Sequence, residues 1–301
     1  MSSHDTAAVS LPQLSADRAL FHVRMLRESA SLLHVAETQT ASDPPADASE
    51  KAAVAATLPT ASPLGPSSTA LMNRALTALL DYTQQEADCV MLCRGDVGDE
   101  LAAGLVSVAD AVRLSRQDGF AQNAGNGSLA EVASTCLLSL TLVTNLCTYS
   151  SCRSTLKPLQ IVEPVIAALQ RFPKRRRLVH LGLMAASNVA HCEGLVIRAD
   201  TMESLVCAPF LLYDEVPVIE AWLTALMNFS ATARENRITM VTRCNLISHL
   251  ERLLEFHGHE QRLVAKGVKF LVTLASVHLP GWVHPRSQGL LRGATSPRAP
   301  S

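Results

Sequence analysis

WLTALMNFSATARENRITMV, residues Trp222 to Val241, decides how this chain reads. An apolar helical pattern ends in Asn228-Phe229-Ser230, pauses over small polar residues, and restarts at Arg234-Glu235-Asn236-Arg237-Ile238. Small polar side chains bond nearby backbone groups and favour helix caps, so the stretch reads as a joint between two helices. A joint of a periodic array must recur at a fixed spacing, and that is the first thing to test.

The same ending does recur. ALTALLDYT (75–83), LTLVTNLCT (140–148), GLMAASNVA (182–190), LTALMNFSA (223–231) and KFLVTLASV (269–277) align so that one position holds Asp81, Asn145, Asn188, Asn228 and Thr273. Their separations are 64, 43, 40 and 45 residues. Three of the four fall in the range of about 40–47 of helical repeats. The long one contains QDGFAQNAGNGS (117–128), a Gly- and Asn-rich insertion. After each aligned position come a polar gap, a brief amphipathic piece (CVMLCRG, CRSTLKPL, LVIRAD, RITMVTRC) and a longer helical run (DELAAGLVSVADAV, VEPVIAALQRF, MESLVCAPFLL, LISHLERLLEF). A more uniformly apolar helix then closes the unit, giving a short, long, long pattern.

Composition agrees with an all-α reading. Hydrophobic residues make up 48% of the 301, yet aromatics only 4%, so the core is built from Leu, Val, Ile, Ala and Met. That palette suits stacked helices better than sheets, which favour aromatic and β-branched residues. With 26 Lys and Arg against 27 Asp and Glu, no global field attracts nucleic acid, and none is expected as a partner. Cys89, Cys93, Cys136, Cys147, Cys152, Cys192, Cys207 and Cys244 lie scattered in apolar segments, and MSSHDTAAVS lacks the basic start and apolar run of a signal peptide. These features predict reduced thiols in an intracellular, cytoplasmic protein, with the nucleus as the alternative. Val132 to Cys152 holds no charged residue over 21 positions but carries Ser, Thr and Asn throughout; the expectation is a buried core helix and no membrane insertion.

The chain divides into an N-terminal segment, 1–37, with an amphipathic helix over 12–36 marked by Leu14, Leu20, Val23, Leu26, Leu32 and Leu33; an Ala-, Ser- and Pro-rich linker, 38–67; a repeat domain, 68–278; and a tail, 279–301, that lacks periodicity.

Residues 68–278 resemble armadillo repeats, about four units with partial ones at the edges, and MNFSATARENRITMV is similar to the family's pattern of Asn, apolar residue, Ser, short gap and polar lead into the next helix. HEAT-like helical pairs are the nearest alternative. The resemblance implies a right-handed α-solenoid that folds only as a stack, because no unit buries its own apolar face. In armadillo proteins similar to the nuclear import receptor, the recurring Asn lines a concave groove and bonds the backbone of an extended peptide, while a Trp one turn earlier packs its side chains. Here that earlier turn holds Thr141, Met184 and Thr224, and Trp222 sits two residues too early, which argues against recognition of basic peptides. The expected groove residues are Thr141, Asn145, Met184, Asn188, Thr224 and Asn228, with Glu220 and Lys269 supplying charge. The competing reading has each Asn capping its own helix end.

PKRRRLVH (173–180) gathers Lys174, Arg175, Arg176 and Arg177 just before a third helix. Such a basic patch holds an acidic partner, serves as a nuclear localisation signal, or is solvated surface. Cys89 with Cys93, and His257 with His259, lack a second pair at zinc-finger spacing, so no metal site is expected; the first pair reads as buried thiols and the second as loop histidines. His191-Cys192 are neighbours on a helix and point about 100° apart, a poor nucleophile–base pair. No phosphate-binding, dinucleotide-binding, nucleophile-elbow or H-E-x-x-H motif occurs. The expectation is a non-catalytic scaffold or adaptor, without cofactor, that binds a protein or peptide; the alternative is a structural subunit of a larger assembly.

Overall fold

The computed structural model describes residues 11–41, 67–114 and 129–275, with side chains of the first helix from 16 to 32. Among the described residues the protein is all α, with no strand. The helices are α1 (Leu11–Ala41), α2 (Ser68–Asp81), α3 (Glu86–Leu92), α4 (Gly95–Leu114), α5 (Leu129–Thr148), α6 (Ser150–Arg153), α7 (Pro158–Arg171), α8 (Arg176–Val189), α9 (Ala199–Cys207), α10 (Val216–Thr232), α11 (Arg234–Thr242), α12 (Leu246–Phe256) and α13 (Gln261–Ala275).

The five helices that carry the aligned positions pack in chain order: α2 on α5, α5 on α8, α8 on α10, α10 on α13. A second row runs α1, α4, α7, α9, and the rows meet through pairs such as α1 with α2 and α7 with α8. The apolar character of the first row follows from this placement. Helix α5 buries Val132, Cys136, Leu140, Val143, Leu146 and Cys147, and α10 buries Val218, Trp222, Leu226 and Phe229. Each such Leu or Val contributes about 1.5–3 kcal/mol when withdrawn from water. By length and composition α5 is also apolar enough to cross a membrane, and half of its most apolar window is buried inside the protein.

Helix α1 is not a separate segment among the described residues. It runs to Ala41, past the expected boundary at 37, and docks on both α2 and α4. Its buried stripe is Ala19, Val23, Leu26 and Ala30, whereas Leu32 is 58% exposed. The insertion 117–128, the linker from 42 to 66 and the tail 279–301 lie outside the described residues.

The segment after Asn188 departs from the expected short, long, long order. Residues Leu195 to Arg198 are not helical, because Gly194 turns the chain at φ +69° and the Ile197 N–H donates to Asn236 Oδ1 at 3.1 Å, a side chain from the next unit. The run expected over 202–212 stops at Cys207: Pro209 cannot donate a helical N–H and disfavours helix at the residue before it.

Candidate functional site

The aligned Asn residues lie half-buried along the first row. Asn145 Nδ2 donates to Thr83 Oγ1 at 2.8 Å, Asn188 Nδ2 to the Thr144 carbonyl at 3.2 Å, and Asn228 Nδ2 to Ser187 Oγ at 2.8 Å. Asn188 and Asn228 therefore reach the residue just before the aligned Asn of the preceding helix. Neither sequence reading anticipated this: the donors tie neighbouring units together instead of capping their own helix or standing free for a ligand. The carbonyl oxygens Oδ1 of the three receive no donor among the described residues. The row is thus a set of anchored amides that keep an acceptor unused.

The other expected residues fall into two groups. Thr141 Oγ1 donates to the Leu137 carbonyl of its own helix at 2.8 Å, while Met184 is 43% exposed and Lys269 exposed. Glu220 and Thr224, by contrast, belong to a polar joint between α10 and α13. Glu220 pairs with Arg262 at 3.3 Å, and Lys266 Nζ donates to the Glu220 carbonyl at 3.1 Å and to Thr224 Oγ1. Burial depresses the Lys266 pKa, opposed by the Glu220 carboxylate. Lys266 was missed from sequence, although it lies 46 residues from Glu220 and 42 from Thr224, within the repeat period. Lys269, the expected cation one turn on, is exposed.

Two further Asn and Trp positions belong to the core. Asn236 is fully buried and makes three bonds: Nδ2 to the Leu195 carbonyl at 2.7 Å, Nδ2 to the Phe229 carbonyl at 3.0 Å, and Oδ1 from Ile197 N–H. Trp222 is 1% exposed and donates Nε1 to the Leu205 carbonyl at 3.1 Å, so it ties α10 to α9 instead of facing a groove.

The thiols are all free, and every one except Cys207 is buried. Burial pushes the Cys89 thiol up to about 11 and Cys136 to about 12. The Cys192 thiol is also raised by burial, with Arg153 opposing, and its Sγ donates to the Arg153 carbonyl at 3.7 Å while His191 is exposed beside Asn228. Such thiols are weak nucleophiles at neutral pH. No group of three or more His, Cys, Asp or Glu gathers at metal-binding distance among the described residues. His257 and His259 both lie in the turn after α12, as loop histidines, but His257 is 2% exposed, with Nε2 at 2.7 Å from the Tyr213 carbonyl, while His259 is exposed.

The basic run forms the α7–α8 turn. Arg171 and Arg175 lie 5.6 and 5.5 Å from the centroid of Phe172, and Arg176 pairs with Glu215 at 3.0 Å. Concavities lie elsewhere among the described residues. One, of about 560 Å³, lies between α1 and α4 beside the Arg27–Glu100 pair; another, of about 380 Å³, is lined by Phe210, Tyr213, His249, Arg252 and Phe256.

No protein-family model matches the chain, and neither a curated protein nor a solved structure matches it at a significant level.

Proposed function

We propose that the protein is a non-catalytic interaction scaffold: an armadillo-like right-handed solenoid whose first helix row forms a concave face for an extended peptide. The observation that carries the reading is the row of anchored amides, Asn145 held by Thr83 in the turn after α2 and Asn188 and Asn228 each held by the preceding helix, with Oδ1 unused. An extended peptide offers backbone N–H groups at regular spacing, and pre-anchored acceptors bind them without losing rotamer freedom. The chain order of the packing and the period near 40 support the solenoid, and α1 then serves as its N-terminal cap. The free, buried thiols support an intracellular setting.

Selection of a displayed peptide library on the purified chain tests the groove. Sequences that bind the wild type and lose binding at least tenfold to Met184→Glu, an exposed position on the row, support it. Equal binding to both proteins by every selected peptide refutes it. Small-angle scattering that returns a spherical particle refutes the solenoid. A second reading, a permanent subunit of an assembly, is favoured by Val268 and Val272, 47% and 66% exposed on α13, the last of the described helices. A monodisperse, soluble monomer in size-exclusion chromatography counts against it.

A further inference from the structure

Away from the first row's polar face, the turns α7–α8 and α9–α10 bring together a cationic run and an aromatic concavity. Lys174, Arg175 and Arg177 are exposed and make no ion pair among the described residues. The arrangement is locally unfavourable. Helix α8 begins at Arg176 with no acidic residue in its first turn and no side-chain cap from Arg175, so cations sit at the positive end of the helix dipole. Each such charge is unfavourably placed there, and an incoming carboxylate relieves the repulsion. Arg175 is also held beside the Phe172 ring, which limits its freedom before any partner arrives.

The joint to the concavity is the Arg176–Glu215 pair. Two positions before Glu215, Tyr213 enters the wall of the 380 Å³ concavity with Phe210, Phe256, His249 and Arg252. Its rings are mutually packed: Phe210 on His249 at 4.5 Å and Tyr213 on Phe256 at 5.3 Å. Phe256 is 55% exposed, an aromatic surface left open to solvent. Volume and lining suit one bulky apolar side chain, and Arg252 at the same wall adds a cation.

We propose that these two turns, together with helix α12, which supplies His249, Arg252 and Phe256, form a second docking surface for a short acidic peptide: carboxylates on Lys174, Arg175 and Arg177, with one bulky apolar side chain in the aromatic concavity. A long polyanion fits less well. Asp214 is exposed next to Glu215, and Glu255 is exposed near Tyr213, whose pKa is raised first by burial, with Arg252 opposing and Glu255 adding to the rise; an extended nucleic acid or anionic membrane laid across the surface meets both carboxylates. A short peptide crosses the joint with its apolar part and confines its carboxylates to the cationic run.

Fluorescence anisotropy on the full chain tests this with a labelled glutamate-rich peptide carrying one central phenylalanine. The expected result is salt-sensitive binding that weakens about tenfold or more with Lys174→Glu/Arg177→Glu, and several-fold with Phe256→Ala. Changing the peptide's phenylalanine to alanine must weaken it to the same degree as Phe256→Ala, and combining the two must add little. Both sets of changes are at exposed side chains, and circular dichroism confirms that each variant is folded. Absence of binding, binding unaffected by the charge reversal, or tighter binding of single-stranded DNA or of phosphatidylserine vesicles overturns the proposal. Met184→Glu leaves this binding unchanged, which separates it from the groove reading.

Discussion

Replacing Asn236 with Ala strips three hydrogen bonds from a site that is 0% exposed. The Leu195 and Phe229 carbonyls, at 2.7 and 3.0 Å, and the Ile197 N–H, at 3.1 Å, all lose their partner. An orphaned buried polar group costs about 1–3 kcal/mol, and water entering the cavity recovers part of that, so the net loss is about 3–5 kcal/mol. Against a total stability of about 5–15 kcal/mol, this removes a large fraction of the fold's margin. The thermal midpoint, followed by circular dichroism, drops on the order of 10 °C. Asn236→Asp is the informative companion. It keeps the acceptor for Ile197 but turns an oxygen toward two carbonyls, so it loses at least as much near neutral pH. Asn228→Ala removes a half-buried amide whose site water can reach, and costs about 1 kcal/mol. Hydrogen exchange adds a local readout: the Ile197 amide is protected in the wild type and exchanges rapidly in Asn236→Ala. A loss below about 1 kcal/mol for Asn236→Ala, or equal losses at 236 and 228, refutes the reasoning that this side chain substitutes for helix in the segment after Asn188.

Three further outcomes follow from particular contacts. Gly98→Ala destabilises by about 2 kcal/mol or more in urea titration although Ala is the better helix former, because an added Cβ meets the Cys93 carbonyl oxygen at 2.5 Å and backbone must move. Iodoacetamide labels Cys207 before the other seven thiols, which react only with denaturant; mass spectrometry showing Cys192 first contradicts the burial argument. His249 has its pKa lowered first by burial and then by Arg252, so the unfolded chain takes up its proton at higher pH than the folded one. Its contribution to stability is full above about 6.5 and is lost as pH falls below that value toward the folded pKa; urea midpoints across this window decline less in His249→Phe than in wild type.

Helix positions were read from periodicity because a stacked helix needs an apolar side chain every three or four residues regardless of what covers it. That holds for α5 and α10, whose buried residues follow the pattern. It fails where the backbone's partner comes from far along the chain: nothing in LVIRAD announces that Ile197 bonds Asn236. In the candidate site, Asn145, Asn188 and Asn228 were legible as a period, but their role as inter-helix donors was not, since an Asn has both donor and acceptor and the choice of partner is geometric. Lys266 escaped notice beside Lys269 because which cation on one helix faces the neighbour depends on its rotation about its own axis.

By itself, then, the chain's amino-acid order determined an all-helical protein, because local periodicity and polar punctuation are short-range properties. Tertiary structure alone decided that α1 docks on α2 and α4, that Asn236 and Trp222 belong to the core, and that a cationic turn meets an aromatic concavity through Arg176 and Glu215. Those outcomes join residues many positions apart, and their energies depend on distance and burial, which exist only once the helices are stacked.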